Sequence, residues 1–192
     1  MYMIEKSIKN SIETKQKVLK NKGLLKVIQD VANEMVSLFE HDGKVLFCGN
    51  GGSAADAQHL AAELSGRFYY DRPPLFAEAL HVNTSYVTAV ANDYSYDEIF
   101  ARLVKAKGRK GDMLFALSTS GNSKNILKAI RVAKDQGMIT VGLTGEAGGA
   151  MKDVCNYLIN VPSNDTPRIQ EAHILLGHIV CEIVESKLFP QS

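Results

Sequence analysis

The sequence predicts an α/β fold built on a parallel sheet, and three observations carry that prediction. Short apolar runs alternate with helix-period segments from residue 44 to residue 189. The turns after the first and third runs are crowded with glycine and hydroxyl residues, as at ligand-binding strand-to-helix loops. A length of 192 residues, 45% hydrophobic and 22% charged, suits one domain with one core. Parallel strands need crossover helices on both faces, so the architecture is a three-layer αβα sandwich, with residues 1–192 as a single domain.

The first 41 residues read as a helical arm. Ile4, Ile8 and Ile12 recur at i+4, Gly23 is the expected break, and a second helix covers Leu24 to Glu40 before Asp42-Gly43 ends it. The apolar stripe of the arm is expected to meet other helices or a partner subunit, not a membrane. Five strands follow: KVLFCG (44–49), FAEALHV (76–82), DMLFALST (112–119), MITVGLT (138–144) and YLINVP (157–162). A helical pattern starts at Ser53, and YDEIFARLVKAK (96–107) and KNILKAIRVAKDQG (124–137) are further helices. Residues 167–189 form a long last helix, with Pro167 suited to its first turn.

Composition excludes several classes. A net charge of +1 gives no pull toward nucleic acid or an anionic membrane. No apolar run approaches the ~18–20 residues of a membrane span, and the start, MYMIEKSIKN, has no signal-peptide core, so a cytoplasmic protein is expected. Cys48, Cys155 and Cys181 are an odd set without CxxC spacing, which predicts buried, reduced thiols.

The stretch STSGNS (118–123) places four hydroxyls, Ser118, Thr119, Ser120 and Ser123, around a helix start. Unpaired amides and a partial positive charge at that start, with Gly121 allowing close approach, suit a phosphate monoester. One N-capping serine explains one or two of these hydroxyls, not four. GxxxxGK[ST] is absent, so a small sugar phosphate is expected in place of a triphosphate. The first loop, CGNGGS (48–53), permits a tight turn, with Ser53 placed to cap the next helix. It mimics a dinucleotide fingerprint, but the second strand ends HVN without the acidic residue that fingerprint needs. Arg67 and Arg72, beside the proline turn YYDRPP (69–74), read as solvated surface.

His59 and Glu63 are i, i+4 and share a helix face. Gln170 and His178 lie on roughly one side of the last helix. Two imidazoles, a carboxylate and an amide oxygen suit a borderline divalent ion such as Zn²⁺. Spacing alone leaves Glu171 and His173 as competitors for the last-helix positions.

The motifs GNGGSAADAQHLAAEL, AND (91–93), LSTSGNSKNI, LTGEAGG (143–149) and RIQEAHILLGHIV (168–180) together resemble the sugar isomerase (SIS) domain family. The resemblance spans nearly the whole chain. It implies a flavodoxin-like subunit in a homotetramer, with the 1–41 arm used in assembly. It also implies an aldose–ketose isomerase that takes sedoheptulose 7-phosphate to D-glycero-D-manno-heptose 7-phosphate for surface polysaccharide such as lipopolysaccharide. The matching positions are Ser118, Thr119, Ser120 and Ser123 for phosphate, and Asn50, Gly51, Gly52, Ser53, Asn92, Asp93 and Gln170 for the sugar. His59, Glu63, Gln170 and His178 match its zinc quartet, and Glu63 and His178 its acid/base pair. Some relatives bind a replication initiator and lack the carboxylate and imidazole that Glu63 and His178 supply here. Others are sugar-phosphate sensors joined to a DNA-binding domain, for which no room is expected. Isomerases of hexose or pentose phosphates are a further alternative.

Overall fold

The computed structural model describes residues 1–191. Two helices open it, α1 (Tyr2–Lys20) and α2 (Lys22–Glu40). The break falls at Asn21, not Gly23, because the Asn21 side chain accepts the Leu24 amide at 3.0 Å and so caps α2. Gly23 lies inside the first turn of α2. Leu24, Ile28, Val31, Met35 and Leu38 of α2 are buried at helical spacing, whereas Ile4, Ile8 and Ile12 of α1 stand 64%, 55% and 50% exposed.

The sheet contains β1 (Val45–Gly49), β2 (Ala77–Ala79), β3 (Met113–Leu117), β4 (Ile139–Thr144) and β5 (Tyr157–Asn160). All neighbours are parallel, in the order β2-β1-β3-β4-β5. The helices between and after them are α3 (Gly52–Ser65), α4 (Thr84–Asp93), α5 (Ile99–Lys107), α6 (Lys124–Asp135) and α7 (Thr166–Leu188). Strand period two divides the core. Val45, Phe47, Met113, Phe115, Val141 and Leu143 pack against α2, α3 and α7, while Leu46, Cys48, Leu114 and Ala116 pack against α4, α5 and α6. The three-layer sandwich is therefore present as the apolar pattern predicts.

Two differences from the sequence reading have local causes. The second strand is three residues long, because Asn83 caps a new helix by accepting the Tyr86 amide at 3.0 Å. That helix, α4, is not foreseen because it buries only Val90 and shows little apolar periodicity. Ser53 does not cap α3; Gly51, at φ +57°, takes that place, and Ser53 is buried in the first turn. The thiols are unpaired, with Cys48 and Cys181 buried and Cys155 half-buried. Burial pushes Cys155 and Cys181 up to about 12. Among the described residues no helix is long and apolar enough to cross a membrane.

Candidate active site

The strand order reverses direction between β1 and β3, so the loops after these strands flank the crevice where ligands of open parallel sheets bind. Gly49 pairs with Leu117 in register, which sets the glycine loop beside the hydroxyl loop.

The hydroxyl loop is held by its neighbours before any ligand arrives. Ser118 Oγ and Ser123 Oγ are 2.9 Å apart, and Ser123 is the N-cap residue of α6. The loop after β4 clamps it from outside: the Gly145 amide donates to Thr119 O at 2.9 Å and the Met151 amide to Gly121 O at 3.1 Å. The fit is backbone against backbone. Gly121 has φ +66°, and a Cβ there would lie 2.2 Å from Gly148 O; a Cβ on Gly149, at φ +54°, would lie 2.4 Å from Ser120 O. This close approach accounts for Gly149, the last glycine of LTGEAGG. Thr119 and Ser120 border a cavity of about 200 Å³ shared with Ala147, Thr166 and Ile169. With the free amides of the α6 start, the loop forms a neutral anion cradle.

In the glycine loop, Asn50 is fixed by a reciprocal pair of 2.9 Å amide bonds with buried Asn125, and Tyr96 Oη donates to Asn50 Oδ1 at 3.2 Å. Sequence reading missed both: Asn125 lies inside the LSTSGNSKNI motif but past its hydroxyls, and Tyr96 belongs to no chemical motif. Gly52 lies under Gln170: a Cβ there would meet the Gln170 amide at 2.7 Å. Asn92 and Asp93 are exposed at the end of α4, with Asn92 Nδ2 donating to Asp93 Oδ1 at 3.0 Å.

Further along, α3 and α7 run side by side, and Gly177 lets them touch, since a Cβ there would lie 2.5 Å from Leu60. This approach brings His59, Glu63 and His178 together, with their ligand atoms all within 4.8 Å of one another. His59 Nε2 is 3.1 Å from Glu63 Oε1, and the two imidazole centroids are 5.1 Å apart. The Phe68 and His178 ring centroids are 5.6 Å apart, with the rings tilted by 41°. Burial and then the nearby His59 lower the His178 pKa, against the pull of Glu63. His178 Nε2 is buried without a protein partner. A His/His/Glu set with an orphaned ring nitrogen fits a divalent ion such as zinc.

The competitors on α7 lie elsewhere. His173 is wholly buried, with Nε2 3.1 Å from Thr144 O, and Glu171 binds the Arg168 guanidinium. One acid was missed. Asp56, seven residues before Glu63 and therefore on the same stripe of α3, is half-buried with Oδ2 unpartnered. Burial raises its pKa to about 6, opposed by His59. Arg72 corrects the surface reading: its side chain is only 2% exposed and is paired with Glu185.

A family model for the SIS domain matches residues 8–145. The chain belongs to the SIS domain family. This SIS chain is 50% identical over 186 residues to the phosphoheptose isomerase of Aneurinibacillus thermoaerophilus, covering 97% of this chain and 94% of that protein. It is 52% identical over 186 residues to the phosphoheptose isomerase of Clostridium acetobutylicum, covering 97% and 95%. The structure of the phosphoheptose isomerase of Neisseria gonorrhoeae superposes with a TM-score of 0.91 at 42% identity, over 96% of this SIS chain and 98% of the other.

Proposed function

We infer that this SIS chain is a phosphoheptose isomerase, converting sedoheptulose 7-phosphate to D-glycero-D-manno-heptose 7-phosphate. The observation that carries the reading is the meeting of Glu63 and His178 between α3 and α7, in a chain about half identical to proteins of that name. A ketose-to-aldose conversion removes a proton from C1 and returns one to C2, with protons also moving on the two oxygens. Glu63 is the base at carbon. His178 serves the oxygens or ring opening, and a carboxylate with an imidazole suits such transfers near neutral pH. Ser118, Thr119, Ser120 and Ser123 hold the distal phosphate, and Asn50, Gly51, Gly52, Ser53, Asn92, Asp93 and Gln170 contact the sugar. Phosphate binding orients the reacting end. His59, Glu63 and His178 are the residues that would hold zinc, which when bound would polarise the sugar carbonyl; Gln170, whose amide lies against Gly52, would join them as a fourth donor only by turning away from that glycine.

The span of α3 sets the scale of the site. From Gly52, beside the hydroxyl loop, to Glu63 the helix rises about 16 Å, comparable with an extended heptose phosphate plus the reach of the Glu63 side chain. A homotetramer in which neighbouring copies complete one another's sites belongs to this reading, and the exposed apolar stripe of α1 is what supports it by offering contact surface. Unpaired thiols and a sugar-phosphate substrate suit the cytoplasm, upstream of surface polysaccharide such as lipopolysaccharide.

The test is direct. Purified protein is incubated with sedoheptulose 7-phosphate and with hexose and pentose ketose phosphates, with and without a chelator, and aldose formation is followed. Highest kcat/KM on the heptose supports the reading, and preference for a shorter sugar overturns the substrate. Mixing Glu63→Gln protein with protein in which Thr119, Ser120 and Ser123 are all replaced by alanine, and reassembling the two, restores turnover if the site is shared between copies; continued inactivity sinks that part.

A further inference from the structure

The segment from Gly66 to Pro74, which leaves α3, is tied down by a buried knot that the reaction scheme does not use. Arg72 Nε lies 3.0 Å from Glu185 Oε1, with the two side chains 2% and 1% exposed. The rest of the guanidinium faces backbone. Nη1 donates to Leu64 O at 2.7 Å, Gly66 O at 3.2 Å and Pro73 O at 3.1 Å, and Nη2 donates to Glu63 O at 2.8 Å. Glu185 accepts the amides of Phe68 at 2.9 Å and Tyr69 at 2.7 Å. Tyr70 Oη donates to Glu185 O at 3.2 Å and Phe189 O at 2.7 Å, closing the knot on the end of α7. Burial works to raise the Glu185 carboxyl, and the two amides and Arg72 outweigh it.

The placement matters more than the pairing. The last carbonyls of a helix have no partner inside it, and here those of Glu63 and Leu64 are taken by Arg72. Glu185 follows His178 by two turns on the same side of α7. The knot therefore joins the turn that carries Glu63 to the helix that carries His178. It also sets the loop that seats Phe68 against the His178 ring at 5.6 Å. Replacing a buried ion pair with apolar residues is often neutral or stabilising, so net stability is a weak reason for this one. A guanidinium fork with fixed directions does suit holding one geometry.

We propose that Arg72 and Glu185 are positioning residues of the reaction centre, bracing α3 against α7 so that Glu63 and His178 keep their spacing. The proposal rests on the reading of Glu63 and His178 as the proton-transferring pair. Two variants test it. Arg72→Lys keeps a cation beside Glu185, but one ammonium cannot also reach the Glu63 and Leu64 carbonyls. Glu185→Gln keeps the shape and removes the charge. Melting midpoint, kcat and KM for sedoheptulose 7-phosphate well below that midpoint, and a crystal structure are obtained for each.

The expected result is a kcat lowered about 10- to 100-fold in folded protein, as for a small misplacement of reacting groups. KM stays within about threefold, because the hydroxyl loop lies at the other end of α3. In the crystals the ligand atoms of His59, Glu63 and His178 no longer all lie within the 4.8 Å they share here. A folded variant with unchanged kcat and unchanged spacing overturns the proposal, as does a loss confined to KM or to the melting midpoint. Should the unaltered protein turn over no phosphoketose, the functional reading fails, and the crystal spacing alone then decides the brace. If Arg72→Lys does not fold, Glu185→Gln carries the same measurements.

Discussion

The two ends of α3 are built by different physics. At its start, the hydroxyl loop is neutral and made largely by backbone, with glycines at positive φ interlocking Ser120 and Gly121 with Gly148 and Gly149. At its other end, ionisable side chains from two helices converge, and nothing local to either helix determines their separation. A backbone cradle tolerates loss of one hydroxyl but not a new Cβ. A side-chain cluster tolerates small shifts in packing but not loss of its carboxylate. Binding and chemistry should therefore separate cleanly under mutation.

The sharpest way to break this contrast is Glu63→Gln, which keeps the volume and removes the base. We expect kcat to fall about 10³-fold, within the usual range for loss of a general base, while substrate binding measured by calorimetry persists. Full activity in that variant would remove Glu63 from the chemistry. Next in size is Gly121→Ala. The positive φ and the 2.2 Å approach to Gly148 O leave no room for the methyl. A stability loss of about 2–4 kcal/mol in denaturant titration is expected, with KM raised more than kcat is lowered. A wild-type KM in the folded variant would detach the glycine clamp from binding.

A third prediction concerns pH and a residue outside both ends. His173 is buried and neutral, with its pKa held near 4 by burial, against the bond to Thr144 O. The folded value lies below the unfolded value of about 6.5, so the stabilisation is complete above pH 6.5 and is lost as pH falls toward 4. The loss approaches about 3 kcal/mol at the lower limit. His173→Gln should flatten the acid side of a melting-midpoint profile, and an unchanged slope would show that other groups dominate. The smallest effect is expected for Ser120→Ala, where three hydroxyls remain: KM up by about three- to tenfold with kcat nearly constant. A loss confined to kcat would contradict its assignment to the phosphate.

The legibility of the molecule follows the same division. Strands β1, β3 and β4 are readable because central parallel strands are continuous apolar runs, and edge strand β5 because it too is a short apolar run. Edge strand β2 is readable only as a longer run, 76–82, of which three residues form the strand, and helix α4 is not readable because it buries little. The hydroxyl loop could be read entire, because consecutive residues at a strand-to-helix junction share a location by covalent connection. His59 and Glu63 were readable as a pair from helical spacing, yet Gln170, Glu171, His173 and His178 could not be ranked until α7 was docked. Arg72 was misread because an arginine beside prolines looks like surface unless its partner, 113 residues away, is known.

By itself the sequence determined the layers, the strand-to-helix loops and the chemistry available in each, because these depend on apolar period and on neighbours along the chain. Only the tertiary structure decided which imidazole faces Glu63, that Gly121 needs its glycine because of Gly148, and that Arg72 is interior. Those outcomes depend on how closely separate elements approach, and that distance is set by packing across the whole core.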